Sequence, residues 1–146
     1  ITSGVWTSYM HADQGICGMF TQVSGENANG EIHVKYERDP NRILLQFFKR
    51  QWTFNRRDIP VFLTLLIDSV RHEVEGRAYP AKGGADAFVE LTIAPSYTAG
   101  FLELFAEAKQ MDVEWKGGNE PNWSSSMDGS RNVSWIFQGC MRSQGW

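Results

Sequence analysis

Residues 32–48 read IHVKYERDPNRILLQFF, and they indicate the fold class more clearly than any other stretch of the chain. Residues 32–37 alternate between apolar and polar side chains, which is typical of a half-buried β-strand. Residues 39–41 (DPN) are a turn signal, and the more apolar run 43–48 has the pattern of a second strand. The stretch therefore predicts an antiparallel hairpin.

Strand patterns also occur on both sides of this hairpin. Alternation or dense apolar runs predict strands at residues 5–10, 17–23, 61–67, 70–74, 87–93 and 111–115. The run 61–67 favours a strand covered on both faces, with a short buried helix as the alternative. Trp52 and Phe54 predict the start of one more strand, and residues 25–30 and 117–118 are interpreted as turns. We expect the strands to form an antiparallel meander.

The hydrophobic period changes to that of a helix after Pro95. Apolar side chains recur at intervals of three and four from Tyr97, so we expect an amphipathic helix that Ser96 caps and that ends near Gln110. Residues 119–126 are polar and predict a loop. The chain then returns to the helical period near its C-terminal end.

This last predicted helix carries an apolar stripe that must face a core. The stripe consists of Val133, Ile136, Phe137, Cys140 and Met141. Asp128 or Ser130 is expected to cap the helix at its start. With the strands before them, two helices in the C-terminal third predict an α+β fold, built on a strand-rich antiparallel sheet or sandwich.

The composition bounds the class of protein. The 146 residues are 42% hydrophobic and 13% aromatic, which suffices for one core, so we expect residues 1–146 to be a single domain. The longest apolar run, 59–67, is too short to span a bilayer. A net charge of −3 argues against nucleic acid as a partner, because such binders carry a basic excess. The chain begins with Ile1 rather than Met, which is compatible with removal of a signal peptide.

The chain contains two cysteines, Cys17 and Cys140. Two are too few for a zinc cage, so we expect no metal site. We predict that they form one disulfide between the two ends of the chain, which would place the protein in the periplasm or outside the cell. The alternative is two buried free thiols in a cytosolic protein.

The run Ser126-Met127-Asp128-Gly129-Ser130, followed by a helix ending in Cys140, resembles a C-terminal pattern of small exported alphaproteobacterial proteins. The wider layout, with Trp6 early, Ile67-Asp68 after an apolar strand and a Phe-Leu helix before a Met-Asp-Val strand, is similar to the invasion-associated locus B family. The resemblance implies an exported, β-sandwich-like domain without known catalytic residues, found in the periplasm or at the surface. It makes host interaction one candidate role.

The histidines do not predict a catalytic centre. His11, His33 and His72 lack the i, i+4 spacing of metal ligands, and no nucleophile-elbow signature surrounds a serine. We interpret His72 as a partly buried strand residue with its hydrogen bonds satisfied, and His33 as a solvated one. An acid-base role for His72 is the alternative.

Two carboxylate pairs each share a strand face, Asp112 with Glu114 and Glu73 with Glu75. Glycoside hydrolysis uses such a pair, but it also needs an environment that raises one pKa, and the sequence does not provide a sign of one. We therefore expect neither a catalytic residue nor a cofactor.

One segment concentrates basic and aromatic side chains in a chain that is otherwise slightly acidic. Its candidate binding residues are Lys49, Arg50, Trp52, Arg56 and Arg57. Such side chains along a hairpin can contact an anionic partner, whereas the alternative is a hairpin with an ordinary solvated basic face.

The sequence favours a non-catalytic exported domain that binds a protein or another component of the cell envelope. The alternatives are a small-ligand carrier or an enzyme with a dispersed site, and a periplasmic inhibitor or immunity protein. A cavity on which His72 or the acidic pairs converge would favour the carrier or the enzyme. An exposed basic or aromatic patch above a filled core would favour the envelope-binding domain.

Overall fold

The computed structural model describes residues 1–23 and 29–146. In this part of the chain ten strands form one antiparallel sheet, accompanied by two α-helices. The strands are β1 (Thr2–Ser3), β2 (Trp6–His11), β3 (Ile16–Gln22), β4 (Gly30–Glu37), β5 (Arg42–Lys49), β6 (Ile59–Ile67), β7 (Val70–Tyr79), β8 (Phe88–Ile93), β9 (Gln110–Trp115) and β10 (Trp123–Ser126). The helices are α1 (Thr98–Glu107) and α2 (Ser130–Ser143), with short 3-10 turns at Ala12–Gln14 and Pro95–Tyr97. The predicted α+β fold class is confirmed.

The hairpin predicted from residues 32–48 is formed by β4 and β5, where Tyr36 pairs with Ile43. The sheet is not a simple meander, because its order is β1-β2-β3-β4-β5-β8-β7-β6-β9-β10. Strand β5 pairs with β8, and β6 lies three positions from β5, between β7 and β9. The meander prediction is therefore wrong between β5 and β9, since local alternation does not specify which strand is the neighbour.

The sheet is strongly curved around a single core. Phe47 of β5 and Trp115 of β9 have ring centroids 5.4 Å apart, although four strand steps separate these strands. In a flat sheet four steps would span about 19 Å, at about 4.8 Å each. The two ends of the sheet also meet, because the Val5 amide donates to the Asp128 carbonyl at 3.0 Å. The concave face therefore encloses the apolar core.

Both helices contribute to this core. Helix α1 buries Phe101, Leu102 and Phe105, and the Phe105 ring meets Trp6 of β2 with centroids 4.8 Å apart. Helix α2 packs on α1 and on strands β2 and β3. The predicted disulfide is present, with the Cα atoms of Cys17 and Cys140 6.0 Å apart, and it joins β3 to the last turns of α2. None of the helices in residues 1–23 and 29–146 is long and apolar enough to cross a membrane.

Helix α2 differs from its prediction in two details. Val133 and Phe137 are buried as expected, but Ile136 is 38% exposed and points away from the core. The cap is neither Asp128 nor Ser130 but Gly129, which has a φ of +87°. A Cβ atom at this position would lie 1.7 Å from the Ser3 carbonyl oxygen, so the backbone approach leaves no room for a side chain.

Other predicted boundaries are corrected as well. Helix α1 begins after Tyr97 without a side-chain cap and ends at Glu107, so neither Ser96 nor Gln110 bounds it.

The polar loop predicted at 119–126 contains strand β10, whose Trp123 is fully buried. Trp52 and Phe54 do not start a strand. Strand β6 is covered on one face only over its first half, where Phe62 is 55% exposed. Of the turn predicted at 25–30, residues 25–28 lie outside the described residues.

Candidate functional site

The predicted basic segment begins at the last residue of β5, Lys49, and continues through the connection between β5 and β6. These two strands do not form a hairpin, because β5 pairs with β8. Two of its residues bond to one carboxylate, because Lys49 Nζ donates to Glu120 Oε2 at 2.7 Å and Trp52 Nε1 donates to Glu120 Oε1 at 2.8 Å. Trp123 Nε1 is a third donor, 3.0 Å from Glu120 Oε2. We call these four residues the Glu120 cluster.

The Glu120 cluster is covered by stacked rings. The indoles of Trp52 and Trp123 are nearly parallel with centroids 5.4 Å apart, and Trp115 meets both rings edge-on. Burial alone would raise the pKa of the Glu120 carboxyl, but the hydrogen bonds from Lys49, Trp123 and Trp52 outweigh it and lower this pKa. In this structure Lys49 and Trp52 therefore hold the β5–β6 connection against the segment before β10.

Arg50, Arg56 and Arg57 remain on the surface of the same connection. The Arg57 guanidinium lies 5.2 Å from the centroid of the Tyr79 ring, in a cation-π contact. Within the described residues neither Arg50 nor Arg56 is paired with a carboxylate, so both charges face solvent. The structure thus separates the five predicted residues into an internal pair and an exposed arginine group. Their role in contacting a partner stays a prediction.

A deep groove lies between α1 and the concave side of β6, β7 and β8. Its volume is about 1100 Å³, just above the range of about 300 to 1,000 Å³ that small-molecule sites usually have. Its lining is predominantly apolar. The apolar side chains are Leu65, Ile67, Val74, Leu91, Ile93, Ala94, Tyr97, Phe101 and Leu104, and the polar ones are His72, Glu73, Thr92, Ser96, Glu103 and Glu107, with Gly100 on the helix.

The groove exists because α1 is too short to cover the sheet. A ten-residue helix is about 15 Å long, whereas the nine residues of β6 extend over about 30 Å. Core side chains under the groove keep some exposure, from 4% at Leu65 to 8% at Phe101, while Leu63 farther along β6 is 1% exposed. The groove therefore reaches down to the hydrophobic core.

One polar side chain in the wall of this groove, His72, lacks a hydrogen-bond partner for one of its ring nitrogens. It lies on β7 opposite Leu65 and is half-buried, as predicted. Its Nε2 atom, however, is buried and has no hydrogen-bond partner within the described residues. The interpretation of His72 as a satisfied histidine is therefore wrong. A buried polar atom without a partner costs about 1 to 3 kcal/mol. Because almost none of the Nε2 surface is accessible, a ligand in the groove reaches this atom only when the imidazole ring turns.

The charged side chains that line the groove are acidic, and Lys and Arg do not occur among its described lining residues. Glu73 turns its carboxylate to the outer face of the sheet, where hydrogen bonds from Lys116 and Thr64 lower the pKa of that carboxyl. Glu107 is paired with Arg131. Glu103 is exposed and has no ion pair within the described residues. One uncompensated negative charge therefore stands at the rim formed by α1.

The other carboxylates singled out in the sequence do not converge on the groove. Asp112 accepts hydrogen bonds from Gln110 and Ser124, and Glu114 is paired with Arg71 on the outer face of the sheet. In residues 1–23 and 29–146 there is no group of three or more His, Cys, Asp or Glu side chains that could hold a metal ion.

His33 belongs to a row of aromatic side chains across the outer face of the sheet. The row consists of Tyr9, Phe20, His33, Phe48, Phe88 and Tyr79. His33 stacks on Phe20 at 5.0 Å and contacts Glu31 at 3.3 Å, and burial lowers its pKa despite that carboxylate. The prediction of a solvated His33 is therefore wrong, because cross-strand neighbours cover it.

Sequence reasoning missed the contribution of α1 to the groove. Tyr97 is 71% exposed and Leu104 is 45% exposed, and both lie at its rim beside Gly100. A glycine within an amphipathic helix was the available signal, because it leaves a gap on the helix surface.

Comparisons with family models, with curated proteins and with solved structures find no match for this chain.

Proposed function

We propose that this chain is an exported, non-catalytic binding domain that carries an apolar small molecule in the groove under α1. The observation that carries the proposal is an apolar groove of about 1100 Å³ that reaches the core. Concave, mostly apolar sites with few polar groups are typical of small-molecule binding.

The disulfide supports a periplasmic or secreted location. Bonds such as Cys17–Cys140 form and persist in oxidising compartments, whereas cytosolic thiols are kept reduced. In the periplasm or outside the cell an apolar ligand would be surrounded by water, in which it dissolves poorly, so a carrier that encloses it would keep it in solution. Membership of the invasion-associated locus B family remains part of this proposal.

A binding role is favoured over catalysis by the surroundings of His72. A nucleophile activated by histidine must be within hydrogen-bond reach of the imidazole. Ser96 and Thr92 line the same groove, but neither bonds to His72 Nε2 in the described part of the chain. The acidic pairs that could have served as general acid and base are engaged elsewhere.

The proposal is tested by filling the groove from the helix. An ideal Cβ atom at Gly100 meets no atom within 4 Å, so Gly100→Leu would place its side chain in the open groove without a clash. We expect wild-type protein to bind the neutral apolar probe N-phenyl-1-naphthylamine with 1:1 stoichiometry. In Gly100→Leu the affinity, measured by fluorescence titration, should fall by about tenfold or more, because the apolar contacts of the probe are lost.

Gly139→Leu on α2 is the matched control. Gly139 also lies within a helix, its Cβ position has only the end of the Arg142 side chain nearby at 3.9 Å, and it does not line the groove. Both variants make the same change in helix propensity. Equal probe binding by the two variants, or no saturable binding by the wild type, would contradict the proposal.

A second candidate function, contact with an anionic envelope macromolecule, is favoured by the exposed arginine group. Arg56→Ser combined with Arg57→Ser should weaken capture of envelope components from an extract, more at low than at high salt, because salt screens surface charge. The melting temperature should change little. The control pair Lys82→Ser and Lys109→Ser removes two exposed cations elsewhere. Unchanged capture with the arginine variant would reject this surface.

A further inference from the structure

We propose that the ligand of the groove is a long-chain amphiphile whose head group donates hydrogen bonds, an amine or an alcohol, rather than a fatty acid or another anion. This inference rests on the proposed carrier function and deepens it. It follows from three properties of the groove wall: its apolar lining, the unpartnered nitrogen of His72, and the sign of the charges at its rim.

The apolar lining selects an alkyl or similar hydrocarbon portion. Side chains from both layers contribute to it, including Leu65 and Leu91 from the sheet and Phe101 and Leu104 from α1. Each methylene group moved from water into such a wall strengthens binding by about fourfold. A chain of about a dozen carbons therefore has enough apolar surface to bind without any polar contact, and the head group decides between ligands of equal length.

The His72 nitrogen indicates that a polar group enters the groove. A neutral imidazole has one nitrogen that donates and one that accepts, so Nε2 can bond either kind of head group, depending on the tautomer. Leaving Nε2 without a partner beside a bound hydrocarbon chain would retain the cost of its burial. Because Nε2 is closed off in this structure, we expect the imidazole ring of His72 to turn toward the head group of the ligand and bond to it.

The charges decide which head group it is. Glu103 and Glu107 come from the α1 side of the groove, and Lys and Arg do not occur among the described lining residues. Glu107 is compensated by Arg131, whereas Glu103 has no ion pair within the described residues. A carboxylate or phosphate head would approach this negative charge, while an ammonium would be attracted to it and a hydroxyl would be indifferent. An uncompensated anion in the groove is also costly, because the apolar wall solvates it poorly.

The experiment compares three ligands with the same chain and different heads. Dodecylamine, dodecanol and dodecanoate, kept below their micelle-forming concentrations at pH 8, compete for the groove with N-phenyl-1-naphthylamine. We expect the amine to displace the probe at a concentration about tenfold lower than dodecanoate, with the alcohol between them. Dodecanoate binding as tightly as the amine, or more tightly, would overturn this inference.

Two variants then test whether Glu103 and His72 cause the preference for the amine over dodecanoate. Glu103→Gln should reduce the ratio between amine and dodecanoate affinity by about threefold to fivefold, as expected for one charge at a solvated rim. Asp13→Asn, the matched control, removes one exposed carboxylate far from the groove and should leave the ratio unchanged. An unchanged ratio in Glu103→Gln would contradict the assigned origin of the preference.

His72→Phe keeps a ring of similar size and removes both nitrogens. It should weaken binding of the amine and the alcohol by about fivefold, the value of one net hydrogen bond, and leave the affinity for the neutral probe nearly unchanged. Equal loss for all ligands would show that His72 only shapes the groove and would overturn its assignment to the head group. If the variant does not fold, as judged by circular dichroism, Glu103→Gln still tests the head-group preference.

The outcomes separate this inference from the proposed function. Saturable probe binding that Gly100→Leu weakens by about tenfold or more, together with a preference for dodecanoate, would keep the carrier function and reject the donor head group. Failure of the wild type to bind the probe or any of the three ligands would reject both.

Discussion

Glu120 changes the interpretation of two residues that contact it, Lys49 and Trp52. Lys49 and Trp52 have the chemistry of an anion-binding surface, and in this fold the anion they bind is a carboxylate of the same chain. Three donors at 2.7 to 3.0 Å offset the cost of removing that carboxylate from water, which explains why its pKa is lowered despite burial.

Replacing Glu120 by Gln should therefore destabilise the protein at neutral pH. We expect a loss of about 1 to 2 kcal/mol at pH 7, because a charge-assisted hydrogen bond and an ion pair are removed. Urea denaturation would measure the loss. Glu75→Gln, which breaks an exposed pair with Arg77, is the control and should cost less than about 0.5 kcal/mol.

The pH dependence of this difference follows from the lowered pKa of Glu120. The unfolded state binds the proton more readily than the folded state, so the contribution of the carboxylate is complete above its ordinary pKa of 4.5 and is lost as the pH falls through the folded-state value. The stability difference between wild type and Glu120→Gln should be constant from pH 7 to about pH 5 and then shrink. A difference that grows on acidification would contradict the assignment.

At the scale of the element, α2 shows that only some of the apolar residues in an amphipathic helix are buried in the core. Val133, Phe137 and Met141 are nearly inaccessible, while Ile136 between them is 38% exposed and Trp135 is 72% exposed. The apolar stripe in the sequence is wider than the face that the sheet can cover, because one helix face contacts β2 and β3.

Two alanine substitutions one residue apart should separate these positions. Phe137→Ala is expected to cost about 3 to 5 kcal/mol, as deletion of a buried ring does. Ile136→Ala, in the same turn of the helix, should cost less than about 1 kcal/mol because its side chain is partly solvated. Thermal and urea denaturation would measure both, and similar losses in the two variants would contradict the observed orientation of α2.

In the whole molecule, the curvature of the sheet and the disulfide both bring the two ends of the chain together. Strands from the two ends of the chain must meet, and 123 residues separate Cys17 from Cys140. Closing so long a loop is entropically costly, and a cross-link removes that entropy from the unfolded chain in advance. The disulfide therefore stabilises an arrangement that depends on long-range contacts.

A variant with Cys17→Ser and Cys140→Ser should be less stable by up to about 5 kcal/mol, the value that the chain-entropy argument gives for a loop of this length. The midpoint of urea denaturation should fall, and a reducing agent should lower the midpoint of the wild type but not that of the variant. A midpoint that the reducing agent lowers equally in both proteins would show that the change does not come from this bond.

The sequence by itself determined the local structure of this protein and its one cross-link. Alternation at residues 32–37 and the turn at 39–41 specified the β4–β5 hairpin, because the polarity of each residue indicates which face of a strand is covered. The even number of cysteines, one near each end, was enough to predict the disulfide. The late helices were predicted too, with errors of a few residues at caps where backbone contacts such as that of Gly129 with Ser3 decide.

Only the tertiary structure decided the neighbours of the strands and the site. Periodicity says that a face is covered but not by what, so the pairing of β5 with β8 and the capture of Lys49 by Glu120 have no local signal. The groove reflects a difference between two lengths, that of α1 and that of the sheet below it. The missing partner of His72 Nε2 also becomes visible only in the packed structure. Such properties belong to no single segment, because they arise when segments distant in the chain are packed together.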